Sequence, residues 1–248
     1  MTAIKISCFF ISILFSLNTF AFKGKDSCDL SPNAIDSYVL ALSFQPGFCK
    51  VHGDSKKECR HIRDDAYLSH HFSLHGLWPN QDACGIHYGF CNAQPKDQFC
   101  DYAPLILNEM ASKQLGDVML SYRYQTCLER HEWNKHGTCQ ERTPDDYFLL
   151  ATHFVNEMNA SLLGDYIANH VGEMVKLKAL QDVVSQQFGK NASHNILFHC
   201  QGAILTEVTV GLPDTLSETN SLVELVQQAT PNKTKKNTCP SRVMIVKL

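Results

Sequence analysis

The segment Phe-Ser-Leu-His-Gly-Leu-Trp-Pro-Asn spans residues 72–80, and the segment His-Glu-Trp-Asn-Lys-His-Gly-Thr-Cys spans residues 131–139. In the first segment, residues 72–74 predict a short strand that ends at His75, with Trp78 in the following turn and Pro79 ending regular pairing. The second segment predicts the end of a helix that Gly137 terminates.

Four polar residues of the second segment share one face of this predicted helix: His131, Glu132, Lys135 and His136. At 100° per residue they lie within an arc of about 140°, and Trp133 points the other way, toward the core. A solvated helix face is one interpretation of this pattern. Two imidazoles are poor solubilising groups but suit proton transfer, which favours a reactive site.

The His-Glu pair followed by a second histidine has a superficial likeness to a zinc-protease motif. His131 and His136 are five residues apart, so their side chains point about 140° apart around the helix axis. Two helical histidines reach one metal when this angle is about 40°. We therefore expect no metal here.

The rest of the chain predicts an α+β fold in one domain, because strand and helix patterns alternate without an internal repeat or a linker. The predicted strands cover residues 38–44, 72–74, 195–200, 203–212 and 242–248. The predicted helices cover residues 103–115, 126–136, a segment that begins at Thr143, and 173–188.

Composition indicates a soluble protein with ample material for a core. The 248 residues are 44% hydrophobic and 19% charged, with a net charge of −3. That charge disfavours nucleic-acid binding through a broad basic face.

The N-terminus predicts an export signal. Residues 6–20 are mostly apolar, and this run is shorter than the about 20 residues that span a bilayer. We expect residues 1–21 to be a signal peptide, with residues 22–248 forming the mature domain in the periplasm or outside the cell. A retained anchor is the alternative interpretation. Cleavage removes one lysine and no acidic residue, which gives a net charge of −4.

Cysteine usage agrees with export. Ten of the eleven cysteines lie beyond the signal peptide, and none forms a Cys-x-x-Cys pair. An even number of this kind predicts disulfides rather than zinc, although the residues alone leave the pairing open.

A site with two histidines, a lysine and a glutamate suits a reaction that needs one base and one acid. The lysine suits a substrate that gains negative charge in the transition state. RNA is such a substrate, since its 2′-OH is an internal nucleophile and its 5′-oxygen departs with a proton.

The segments at 75–79 and 131–139 resemble the two signature segments of the ribonuclease T2 family. Residues 38–49, 126–130 and 200–202, together with Cys239, are similar to its bacterial periplasmic ribonuclease I branch. The resemblance implies a central, mainly antiparallel sheet flanked by helices and stapled by disulfides. It also implies a monomer without a cofactor that cleaves single-stranded RNA by metal-independent transesterification through a 2′,3′-cyclic phosphate.

The resemblance also implies residue roles. His136 matches the base on the 2′-OH and His75 the acid on the 5′-oxygen, although these two roles are interchangeable at this point. The remaining matches are Lys135 and Glu132 as stabilisers of the phosphorane, His131 as the phosphate-binding residue and Trp78 as a wall of a base pocket. The alternative function is a catalytically silent secreted relative that acts as a binding or defence protein.

Five disulfides follow from the same resemblance: Cys28–Cys84, Cys49–Cys59, Cys91–Cys139, Cys100–Cys127 and Cys200–Cys239. The sequence departs from many relatives at Asn80 and at residues 44–46, so base preference does not carry over.

An ionised Glu132 would repel the negatively charged phosphate of the substrate. We expect it to be paired with Lys135 or protonated during turnover, and we expect a bell-shaped pH profile with an acidic optimum.

Overall fold

The computed structural model describes residues 28–62, 67–231 and 236–248. The predicted signal peptide at residues 1–21 lies outside the described residues. Within the described part of the chain, no helix is long and apolar enough to cross a membrane.

A six-stranded sheet forms the centre of the molecule, and its strands follow the order β2-β1-β5-β6-β3, with β4 also paired to β5. The strands are β1 Ser37–Ser43, β2 Ser73–Asn80, β3 Glu173–Lys176, β4 Ile196–Gln201, β5 Ile204–Leu212 and β6 Arg242–Ile245. All pairs are antiparallel except the short contact between β5 and β6, which is parallel. The expected α+β fold with a mainly antiparallel sheet is confirmed.

Helices cover the sheet and bury its apolar face. They are α1 Gln45–His52, α2 Glu109–Val118, α3 Leu120–Arg123, α4 Leu128–Lys135, α5 Pro144–Asn159, α6 Leu162–Asn169, α7 Leu177–Phe188 and α8 Leu222–Gln228. The long helix α5 begins where the sequence predicts, because the Thr143 side chain accepts a hydrogen bond from the Asp146 backbone N–H and Pro144 occupies the first turn. Buried residues of α5, among them Phe148 and Phe154, join the main core.

Three predicted helix boundaries differ from the structure. The predicted helix 173–188 is wrong over residues 173–176, which form β3 and pair with β6. Val175 is buried opposite Val243 there, so tertiary pairing overrides the local helical pattern. The helices predicted at 103–115 and 126–136 begin later, after Asn108 and after Cys127.

Five disulfides close the fold, and their partners are those expected from the family resemblance. Two of them hold the two ends of helix α4, which carries most of the second signature segment. Cys100–Cys127 fixes the residue that precedes α4, and Cys91–Cys139 fixes the turn that follows it.

A side chain from α5 completes the backbone pairing just before β2. Asn159 is buried, accepts a hydrogen bond from the Phe72 backbone N–H and donates one to the Phe72 carbonyl, both at 2.9 Å. Since β2 is an edge strand, this amide satisfies backbone groups that no further strand pairs.

Candidate active site

Strand β2 carries the first group of site residues and is longer than the sequence predicts. It runs through His75, Trp78 and Pro79, and Pro79 pairs with Tyr38 of β1. The prediction that pairing ends at Pro79, with Trp78 in a turn, is therefore wrong. Proline is tolerated because β2 lies at the sheet edge, where no outer strand needs its missing N–H.

A β-bulge places His75 on the site face of the sheet. Leu74 pairs with Leu42 and Gly76 pairs with Ala41, so His75 is the extra residue between these two pairs. The bulge lets the flanking Leu74 and Leu77 side chains both enter the core, and His75 and Gly76 take the opposite face.

Gly76 lets helix α4 approach the strand closely. A Cβ at this position would lie 1.9 Å from Glu132 Oε2 and 2.4 Å from Trp78 Nε1. The absence of a side chain therefore allows the contact between the two signature segments.

Helix α4 and the residue after it supply the second group. His131, Glu132 and Lys135 lie within the helix, and His136 follows as its C-cap, its N–H bonded to the Glu132 carbonyl. Trp133 packs edge-on against Tyr147 of α5, toward the main core as the sequence predicts. This contact orients the polar face of α4 toward β2.

Trp78 brings the two predicted catalytic histidines together. Its ring centroid lies 5.2 Å from that of His75 and 5.3 Å from that of His136, and the Trp78 and His136 rings are stacked with 26° between their planes. Its indole N–H donates a 2.7 Å hydrogen bond to Glu132. Trp78 thus joins residues from both segments, a role that sequence reasoning missed when it assigned Trp78 only to a base pocket.

Glu132 is buried in this cluster. Burial raises the pKa of its carboxyl to about 7, although Trp78 and the cations His75 and Lys135 oppose the shift. Oε1 lies 3.9 Å from His75 Nε2. Of the two states expected for Glu132, this environment favours the protonated one below about pH 7.

His75 is hydrogen-bonded to a residue that the sequence analysis did not select. Its Nδ1 lies 2.7 Å from Glu207 Oε2. Burial alone would lower the pKa of His75, but the hydrogen bond to Glu207 and the charge of Glu132 outweigh burial and raise it above the ordinary value.

The other two histidines are shifted in the opposite direction. Burial, assisted by Lys135, lowers the pKa of His136 well below its ordinary value. Burial and Lys135 likewise lower the pKa of His131 to about 4. His75 and His136 therefore hold different protonation states over the pH range between their pKa values.

A cavity of about 430 Å³ opens beside this cluster. His75, His131 and Glu207 line it together with the aromatic rings of Phe48 and Phe99. Phe99 is stacked on His131 with 4.3 Å between ring centroids. His136 is not among the described residues that line this cavity and reaches the cluster through Trp78.

Three features of the site are not predicted from the sequence: Glu207, Phe99 and the close approach at Gly76. Glu207 is a polar residue between buried positions of β5, which is the one signal that places it on the sheet's other face. Its proximity to His75, 132 residues away, follows only from strand pairing. Among the described residues, no group of three or more His, Cys, Asp or Glu is arranged to hold a metal ion.

Comparison with known proteins agrees with this geometry. The sequence model of the ribonuclease T2 family matches residues 35–236. The chain belongs to the ribonuclease T2 family. Within this family, it is 28% identical to Escherichia coli ribonuclease I over 221 residues, which cover 79% of this chain and 80% of that protein. It is 23% identical to Arabidopsis thaliana ribonuclease 1 over 66% of this chain and 69% of that protein.

Solved structures show the same fold. RNase MC1 from bitter gourd seeds superposes with a TM-score of 0.54 at 20% identity, covering 84% of this chain and 99% of that chain. The self-incompatibility SF11-RNase of Nicotiana alata superposes with a TM-score of 0.59 at 15% identity, covering 86% and 99%. As a T2-family member, the protein is an endoribonuclease.

Proposed function

We propose that this endoribonuclease cleaves single-stranded RNA by transesterification without a metal ion, with His136 as the base and His75 as the acid. The observation that carries the assignment is the opposite shift of the two imidazoles within one cluster. A neutral His136 can accept a proton, and a protonated His75 can donate one. Neighbouring titratable groups with separated pKa values are the usual basis of acid–base roles.

In the first step, His136 removes the proton of the 2′-OH, and the 2′-oxygen forms a bond to phosphorus. The bond between phosphorus and the 5′-oxygen breaks, and His75 donates its proton to that oxygen. The products are a 2′,3′-cyclic phosphate and a free 5′-OH. Slower hydrolysis of the cyclic phosphate uses the two histidines in exchanged roles.

Lys135 and Glu132 stabilise the charge that accumulates on the phosphorane. Lys135 supplies a positive charge beside both histidines. Glu132 in its protonated form adds no negative charge and offers a hydrogen-bond donor, which its pKa of about 7 permits. His131 binds phosphate as a neutral donor, since its pKa is lowered to about 4.

The cavity beside His75 accommodates a nucleotide that flanks the scissile phosphate. Its volume of about 430 Å³ lies within the range of small-molecule sites. Phe99 is partly exposed at its wall and offers a ring on which a base can stack. Trp78 lies between the two histidines and forms part of the wall of the site.

We also propose that the protein is exported and acts as a monomer. Five disulfides favour an oxidising compartment, and residues 1–21 have the pattern of a signal peptide, so the periplasm or the extracellular space fits both observations.

The test is to incubate the purified protein with single-stranded RNA, and separately with DNA, in excess EDTA. We expect RNA to be cleaved with 2′,3′-cyclic phosphate ends and DNA to remain intact, because DNA lacks the nucleophile. His136→Ala and His75→Ala should each lose at least about 100-fold in rate. His194→Ala, an exposed histidine outside the site, is the matched control and should retain full activity. Cleavage that EDTA abolishes, or that survives both site substitutions, would overturn the mechanism.

A further inference from the structure

Glu207 belongs to the same face of the sheet as the catalytic cluster. It pairs with Ser43 of β1 on one side and with His199 of β4 on the other. Its neighbour Val208 is fully buried in the main core. Because side chains alternate along a strand, Glu207 points away from the core and toward the site.

Two bulges lie next to the Glu207–His75 pair, one on β2 in its pairing with β1 and one on β5 in its pairing with β4. On β2 the extra residue is His75 itself. On β5 it is Thr206, because His199 pairs with Glu207 and Cys200 pairs with Leu205. Bulges redirect side chains and increase local twist, and here they occur beside both members of one hydrogen bond.

The contact between Glu207 and His75 differs from a surface ion pair. The two side chains are 23% and 33% exposed, the distance is 2.7 Å, and both line the cavity next to the cluster. Both side chains are partly buried, so salt and water screen this pair less than they screen a fully exposed pair.

We propose that Glu207 is a positioning residue that acts through His75. The carboxylate accepts the Nδ1–H of His75 and fixes the ring orientation, so that the other nitrogen, Nε2, carries the proton for the 5′-oxygen. This inference rests on the proposed role of His75 as the acid. Glu207 does not touch the reacting atoms; it keeps the donor aimed and favours the charged imidazolium before proton transfer.

Other charged groups face His75 and set the background for this role. Glu132 lies 3.9 Å from Nε2, and Lys135, His131 and His136 interact with the ring electrostatically. Since Glu132 is protonated for part of the working range, it cannot balance the imidazolium charge throughout. Glu207 is the carboxylate bonded directly to the ring.

The test is Glu207→Gln, with kcat and KM measured from pH 4 to pH 9 on a dinucleotide substrate. The amide keeps the shape but removes the charge, so we expect kcat to fall by about 10–100-fold, as for loss of other partners that orient a functional histidine. The alkaline limb of the kcat profile should move to lower pH, because the imidazolium loses its bonded carboxylate. KM should change less than threefold.

A matched control is Glu173→Gln, an exposed glutamate on strand β3, which should leave both kcat and the pH profile unchanged. Thermal unfolding of both variants tests whether the fold is intact. A second measurement is independent of turnover: ¹⁵N NMR of the His75 ring in the otherwise unaltered enzyme should show a protonated Nδ1 that Glu207→Gln perturbs.

The outcomes separate this inference from the proposed function. Wild-type kcat in Glu207→Gln, or an Nδ1 signal of His75 that Glu207→Gln leaves unperturbed, overturns the positioning role. Full activity in His75→Ala overturns the proposed mechanism itself. Loss of activity in His75→Ala with an unaffected Glu207→Gln overturns only the inference about Glu207.

Discussion

The Glu132 carboxyl is buried against the Trp78 indole, and its pKa is raised to about 7 from an ordinary value of 4.5. The folded protein therefore binds this proton more tightly than the unfolded chain does. The stabilising contribution is present in full below pH 4.5 and is lost as the pH rises through 7. At 1.36 kcal/mol per pKa unit, the loss is about 3 kcal/mol.

Glu132→Gln should remove this dependence, since an amide does not titrate and its oxygen can still accept the Trp78 N–H. We expect the free energy of unfolding of the wild type to fall between pH 5 and pH 8 by about 2–3 kcal/mol more than that of the variant. Urea unfolding at the two pH values measures it. Equal pH dependence in both proteins would show that the carboxyl is not buried as described.

Gly76 tests the close contact between β2 and α4. Gly76→Ala would place a Cβ against the Glu132 carboxyl and the Trp78 indole, so we expect a loss of about 1–3 kcal/mol in stability and a fall in kcat. Urea unfolding and RNA cleavage assays measure the two effects.

Gly116→Ala is the control for this substitution. Gly116 lies inside α2, and its nearest neighbouring atom is 4.0 Å from an added Cβ, so alanine should be neutral or stabilise by up to about 1 kcal/mol. Unchanged activity in Gly76→Ala would contradict the packing described for the site.

At the residue scale, sequence reasoning found the titratable residues within the two signature segments because their types and spacing suggest acid–base chemistry. It did not find Glu207, because nothing in the sequence around a single glutamate in a strand indicates which side chain it contacts. Nor did it foresee the hydrogen bond from Trp78 to Glu132, since that contact depends on the packing of α4 against β2.

At the element scale, strand β2 shows why a boundary was misjudged. Glycine and proline at 76 and 79 suggest a strand that stops at 74, but an edge position and a bulge accommodate both. Strand β3 was missed for another reason: its four residues are too few to establish a period before α7 begins. Helix α5 was predicted at its N-terminus because its capping signals are local.

The Cys100–Cys127 disulfide connects the turn that carries Phe99 to the start of α4. Its partners are 27 residues apart, so replacing both cysteines with serine should cost about 3.5 kcal/mol by the loop-entropy estimate. We also expect KM for RNA to rise several-fold, because Phe99 and His131 lose their fixed stacking. Urea unfolding and steady-state kinetics measure the two effects.

Removal of the Cys28–Cys84 disulfide is the matched control. Its partners are 56 residues apart. Among the described residues, the cavity lining includes neither Cys28 nor Cys84, and both lie outside α4. The loss of stability should be about 4 kcal/mol, with KM unchanged in the folded protein. An equal rise in KM in both variants would contradict a specific role for Cys100–Cys127.

At the scale of the whole molecule, pH controls both catalysis and the approach of RNA. Loss of the proton from His75, whose pKa is raised above 6.5, and from Glu132, whose pKa is about 7, sets the alkaline limb. The lowered pKa of His136 places the acidic limb below 6.5. The profile of kcat/KM should therefore be bell-shaped around mildly acidic pH. Protonation of several of the 12 histidines would also make the net charge of −3 less negative, which eases the approach of a polyanion.

Steady-state rates from pH 4 to pH 9 measure this profile. Holding ionic strength constant separates proton transfer from screening of the charge on RNA. A rate that continues to climb through pH 9 would contradict the assignment of acid and base.

The amide of Asn159, which completes the backbone pairing at Phe72, also begins an Asn-Ala-Ser acceptor sequence for N-linked sugars. In a eukaryotic secretory host, a glycan could be attached to this nitrogen before the chain folds. The modified side chain would no longer fit beside the strand edge, and the two hydrogen bonds between Asn159 and the Phe72 backbone would be lost. Bacterial production, or a host without the oligosaccharide transferase, preserves the native edge.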